Sequence, residues 1–107
     1  MNTRLRLCGL AASLFITPAW GIDIDPDRER YLTNLVIHDC GSCHGTRLKG
    51  GLGPPLTTHA LEKYTEEWIE LVILDGQSGT AMPPWRDLLS PNDAAWLAKA
   101  LKYGEIE

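Results

Sequence analysis

Five consecutive residues constrain this 107-residue chain more than any other feature: Cys40-Gly41-Ser42-Cys43-His44. C-x-x-C-H is the attachment pattern of haem c. Two thiols three positions apart can each add to one vinyl group of a haem lying against the chain. The adjacent His44 then reaches the iron from the same side, as its fifth ligand. Two other chemistries use paired cysteines. A thioredoxin-like redox pair needs a βαβ context, and the pattern around this pair is helical. A zinc site needs four ligands, for which His38 and His59 would have to join the cysteines. Neither explains why a histidine directly follows the second cysteine. One covalently bound haem c, held by two thioethers at Cys40 and Cys43, is the expected cofactor.

The N-terminus points to the compartment in which haem c is assembled. Met1 to Arg6 carries Arg4 and Arg6 and no acidic residue, and an apolar run from Leu7 to Ile16 follows. Thr17-Pro18-Ala19-Trp20-Gly21 closes the segment, completing the order of a secretory signal peptide. Ten apolar residues are too few for a spanning helix, which needs about 20. Residues 1–21 are therefore expected to be a signal peptide cleaved after Gly21 or Ala19, with an uncleaved anchor as the alternative. Residues 22–107 are then a single periplasmic domain with no membrane contact. Cys8 starts the apolar run rather than following it, so it is not placed as a lipoprotein cysteine.

Loss of Arg4 and Arg6 takes the net charge from −4 to −6 and leaves two cysteines and one methionine, Met82. An acidic chain lacks the basic face that nucleic-acid binding needs. A hydrophobic fraction of 44% is that of a globular domain. Ile22–Glu107 is 86 residues long, not far above the range of about 70–80 in which one apolar core supplies little net stability. A buried cofactor would make up the difference.

The rest of the domain reads as helices separated by Gly/Pro loops. Asp25-Pro26 supplies an N-cap and a proline at the first helical position, and Tyr31, Leu32, Leu35 and Val36 form an apolar stripe. Residues 45–55 (GTRLKGGLGPP) hold four glycines and two prolines, which exclude a regular element. Thr57 or Thr58 caps a short helix through Ala60-Leu61. Thr65 caps a longer one, with Glu66 and Glu67 in its first turn. Trp68, Ile69, Val72 and Ile73 keep helical spacing along it as core candidates, and Gly76 stops it. Ser90-Pro91-Asn92-Asp93 starts a last helix bearing Trp96, Leu97, Ala100 and Leu101. No segment alternates as a strand would, so the fold class is all-α.

Met82 is the leading candidate for the sixth iron ligand. It lies in an irregular loop, Gly79-Thr80-Ala81-Met82-Pro83-Pro84, stiffened just after the sulfur by prolines whose fixed φ lowers the entropy of ordering. A thioether favours ferrous iron and raises the potential. His59 is a competitor, an open or water-ligated position is a third possibility, and His38 sits too close to Cys40 to reach the opposite haem face.

The order capped helix, CxxCH, GxGP loop, helix, Met-Pro loop, Leu-Ser-capped terminal helix resembles the small class I cytochromes c over essentially the whole mature chain. More narrowly, Asp39 to Leu56 (DCGSCHGTRLKGGLGPPL) together with GTAMPPWRDLLS is similar to the cytochrome c-55X, or NirC, group. Members of that group are encoded with the haem d1-containing nitrite reductase of denitrifying bacteria. The resemblance implies N- and C-terminal helices packed across each other around one haem. It also implies that the Pro54 carbonyl accepts a hydrogen bond from His44. Trp85 becomes a candidate for the haem edge or a propionate, and Arg47 for a propionate, against its default as a solvated surface arginine. The chain departs from the family in the sizes of paired helix residues: Leu32 and Val36 stand where a small residue and an aromatic are usual, and Ala100 replaces an aromatic. A compensating exchange is expected, Leu32 against Ala100 and Val36 near Leu97.

A six-coordinate haem leaves no position for a substrate. The expectation is a monomeric one-electron carrier rather than an enzyme, working with redox proteins. By resemblance these are the haem d1 nitrite reductase or the proteins that mature haem d1. The alternative is an accessory factor in haem d1 biogenesis, or a ligand sensor in which Met82 leaves the iron.

Overall fold

The computed structural model describes residues 9–16 and 23–106. Most of the expected signal peptide, including its basic start and both candidate cleavage points, lies outside the described residues. Residues 9–16 are exposed and form no helix, and no helix among the described residues is long and apolar enough to cross a membrane.

The first helix, α1 (Pro26–Leu35), begins where Asp25 Oδ1 accepts hydrogen bonds from the backbone N–H groups of Asp27 at 2.8 Å and Arg28 at 3.4 Å. These satisfy two of the donors that a helix start leaves free. The chain then runs without a break through a π-helical turn (Val36–Cys40) into α2 (Gly41–His44), which carries the second cysteine and the histidine. In the π turn the N–H of Gly41 reaches back to the Val36 carbonyl, five residues away. The wider turn changes the angle at which Cys40 leaves the helix relative to an α-helical continuation. After a loop come α3 (Thr58–Leu61), α4 (Glu66–Asp75) and α5 (Pro91–Lys102), capped by the side chains of Thr57, Thr65 and Ser90. The α5 cap is a full capping box, with Ser90 and Asp93 bonding each other's backbone N–H.

The core gathers Leu32 and Val36 from the first helical run, Leu48 from the loop, Leu61 and Ile69 from α3 and α4, and Leu97, Ala98, Ala100 and Leu101 from α5. Leu32, Val36, Leu97 and Ala100 are all fully buried and belong to one core cluster. Two sequence expectations need correction. Tyr31 turns outward, with the Arg28 guanidinium 4.6 Å over its ring. Trp68 lies at the rim rather than in the core, stacked on Tyr64 at 4.1 Å between ring centroids.

Polar contacts between distant residues fix the helices on one another. Lys102 Nζ donates to the carbonyls of Leu61 at 3.3 Å, Glu62 at 3.2 Å and Tyr64, fastening the end of α3 to α5. Arg28 grips Asp93 with two parallel bonds, Nη2–Oδ2 at 2.6 Å and Nε–Oδ1 at 3.1 Å, tying the start of α1 to the start of α5. The Arg28 bond, together with those from Ser90, holds the Asp93 carboxyl below the usual carboxylate range, against the effect of its burial. Because the folded-state pKa is depressed, this stabilisation is present above the unfolded carboxylate range and is lost as pH falls through the folded value. Asp93→Ala is expected to cost about 1–2 kcal/mol at neutral pH, from a lost cap and a partly solvated ion pair. Urea unfolding at pH 7 and at pH 3 checks this, with the gap to the wild type shrinking in acid.

Candidate haem site

The motif is shaped by the loop that follows it. As the last residues of a four-residue helix, Cys43 and His44 have carbonyls with no partner in α2. The loop supplies both: Gly53 N–H donates to Cys43 O at 2.7 Å, and Gly50 N–H to His44 O at 2.8 Å. Gly45 makes the reversal possible. Its φ is +89°, and a Cβ there would lie 2.7 Å from the Gly50 carbonyl oxygen. Leu48, itself at φ 57°, plugs into the core and exchanges no side chain with solvent, which anchors the middle of the loop. Leu56 N–H donates back to Leu48 O at 2.8 Å and closes the structure.

This folding-back delivers Pro54 to the histidine. His44 Nδ1 donates to the Pro54 carbonyl oxygen at 2.7 Å, which leaves Nε2 as the unprotonated ring nitrogen able to bind a metal. Cys40 is half-buried, and desolvation, with the Asp39 charge adding to it, pushes its thiol up to about 11. That is the opposite of the lowered value a reactive redox cysteine carries. Among the described residues no three His, Cys, Asp or Glu side chains converge as a metal cage would require. Two reduced thiols on one short helical stretch, beside a histidine whose second nitrogen is already engaged, fit a covalently attached haem.

Met82 comes from a separate loop tied to the end of α4. Gly76 takes φ +68°, and a Cβ there would lie 2.6 Å from the Met82 carbonyl oxygen, so the two strands of the loop pass in contact. Thr80 Oγ1 accepts from Met82 N–H at 3.2 Å, and Gln77 N–H donates to Met82 O at 3.3 Å. Trp85 N–H donates to Ile73 O and Leu74 O, both at 3.1 Å, and Arg86 Nη2 pairs with Asp75 at 2.7 Å. Met82 and Trp85 are half-buried, and Trp85 packs on the core. Arg47 is exposed beside a groove of about 500 Å³ floored by Leu48, Leu56 and Leu101. His59 is exposed on α3, its side chain 96% accessible and 3.9 Å from Glu62. The structure thus brings Cys40, Cys43, His44 and Pro54 into one unit and holds Met82 and Trp85 on a second. Sequence reasoning missed the roles of Leu48 and Gly53 in that first unit. The four glycines spread through the loop, at 45, 50, 51 and 53, were the available signal.

A small helical frame with this motif and a carbonyl-bound histidine defines a class, the c-type cytochromes. A family profile described as cytochrome C oxidase, cbb3-type, subunit III, matches residues 28–99. Cytochrome c55X of Pseudomonas aeruginosa is 48% identical over 89% of this chain and 82% of its own length. The solved c-type cytochrome NirC superposes with a TM-score of 0.76 at 49% identity, covering 78% of this chain and 98% of that one. Part of a larger structure, dihydro-heme d1 dehydrogenase NirN in complex with DHE, superposes with a TM-score of 0.61 at 30% identity, over 64% of this chain and 15% of that one. The chain belongs to the cytochrome c55X family. It therefore carries covalently bound haem c and transfers electrons.

Proposed function

We propose that the protein is an exported, monomeric electron carrier whose haem is attached through Cys40 and Cys43 and ligated by His44 and Met82. The observation that carries this reading is the bond from His44 Nδ1 to Pro54 O, which fixes the tautomer a ligating histidine needs. Met82 is supported as the partner ligand because its loop is pinned on both sides and the thioether is half-buried, whereas His59 points into solvent. Trp85 would pack against the haem edge, and Arg47 would meet a propionate. Haem supplies a one-electron couple. The protein sets its potential, excludes water and offers a small docking patch framed by the loops, as transient redox encounters use. With both axial positions filled there is no place for a substrate, so the protein is a carrier and not an enzyme. Residues 1–21 act as the signal peptide that brings it to the periplasm.

Its partner in this reading is the haem d1 nitrite reductase, to which it donates electrons. A second reading, redox service to haem d1 maturation, is favoured by the likeness to part of a dihydro-heme d1 dehydrogenase. Stopped-flow mixing separates them. Rapid oxidation of the reduced protein by the nitrite reductase supports the first. Reduction of the oxidised protein only by the dehydrogenase turning over its substrate supports the second and contradicts the first.

A further inference from the structure

The His44 ring is confined from a second side. A Cβ on Gly53 would lie 2.8 Å from both Cε1 and Nδ1 of the ring and 3.3 Å from Cγ. Carbon atoms in good contact sit about 3.5–4.0 Å apart, so no side chain fits there while the ring keeps its place. The backbone itself does not call for glycine. Gly53 is absent from the residues with positive φ, and the extended conformation favoured before a proline is open to any residue. What glycine supplies is room.

That room is rigidly bounded. Gly53 N–H is bonded to Cys43 O at 2.7 Å, Gly53 O accepts from Gly51 N–H at 3.0 Å, and the next carbonyl, Pro54 O, accepts from His44 Nδ1 at 2.7 Å. The imidazole lies against one residue and is hydrogen-bonded to its neighbour. We propose that Gly53 is a positioning residue for His44, its missing side chain letting the ring close onto the Pro54 carbonyl. The proposal rests on His44 being an iron ligand. With alanine at position 53, the ring turns away or the segment backs off. Either movement lengthens the bond to Pro54, makes the imidazole a weaker electron donor, and raises the reduction potential by destabilising ferric iron.

The test is proton NMR and potentiometry on the oxidised holoprotein for the wild type, Gly53→Ala and Leu52→Ala. Leu52, the adjacent loop residue, is 95% exposed and serves as the control. The expected result is a displaced set of paramagnetically shifted His44 ring resonances and a more positive potential in Gly53→Ala, with neither change in Leu52→Ala. Unchanged resonances and potential in Gly53→Ala overturn the proposal. Should that variant fail to acquire haem, the wild type decides. Cross-relaxation between the Gly53 α-protons and His44 Hε1 is expected, and its absence overturns the proposal. His44 ring resonances at ordinary diamagnetic positions in the wild type would instead overturn iron ligation by His44, a separate failure.

Discussion

Cys40→Ala combined with Cys43→Ala is expected to yield no protein with covalently bound haem, and the chain that remains is expected to lose cooperative unfolding. The physical reason is the size of the core. Its largest fully buried side chains are only Leu32, Leu97 and Val36. Below about 70–80 residues a single apolar core rarely supplies more than about 3–5 kcal/mol, and this domain is not far above that range, so loss of a central group is expected to take most of the net stability. The loop built around the motif fails with it, because its hydrogen bonds end on the carbonyls of Cys43 and His44. Mass spectrometry of the exported protein and a thermal scan by circular dichroism check both parts. A haem-free chain that unfolds cooperatively at the wild-type temperature would show that the haem is not part of the core.

Met82→Ala is expected to lower the reduction potential by an amount on the order of 0.1 V or more, within the ~0.8 V that axial ligands span. In the proposed His/Met ligation, loss of the thioether removes the ligand that favours ferrous iron. The variant is also expected to bind carbon monoxide rapidly in the ferrous state, while the wild type binds it slowly or not at all. Rapid binding by the wild type would favour the sensor function over the carrier. Here too the loop explains why a single atom matters. Its anchors at Gly76, Thr80 and Trp85 remain in the variant, so the change is confined to the side chain that carries the sulfur.

What the sequence made legible was local. Asp25-Pro26, Thr65 and Ser90-Pro91 announce helix starts because a cap and its donors lie within three residues, and the structure places each helix where those signals put it. The C-x-x-C-H spacing is local as well. The π turn at Val36–Cys40 was not readable, since the spacing of these residues does not distinguish a π turn from a continuing α-helix. The same holds for Arg28 and Asp93, 65 residues apart, and for Lys102 serving carbonyls about 40 residues upstream. Trp68 shows the reverse error. Helical spacing marked it as core, yet Tyr64, four residues away, offers a flat face at the rim and holds it there. Pro54 was legible through resemblance to a family, whereas the close approach of Gly53 to the His44 ring arises only once the loop has folded back.

In the proposed ligation His44 and Met82 close the iron site. The far-red sulfur–iron charge-transfer band of the oxidised holoprotein tests it most directly, measured in the wild type, Met82→Ala and His59→Ala. The band is expected in the wild type and in His59→Ala, and its loss is expected in Met82→Ala. A band unchanged in Met82→Ala, or absent from the wild type, would contradict that ligation.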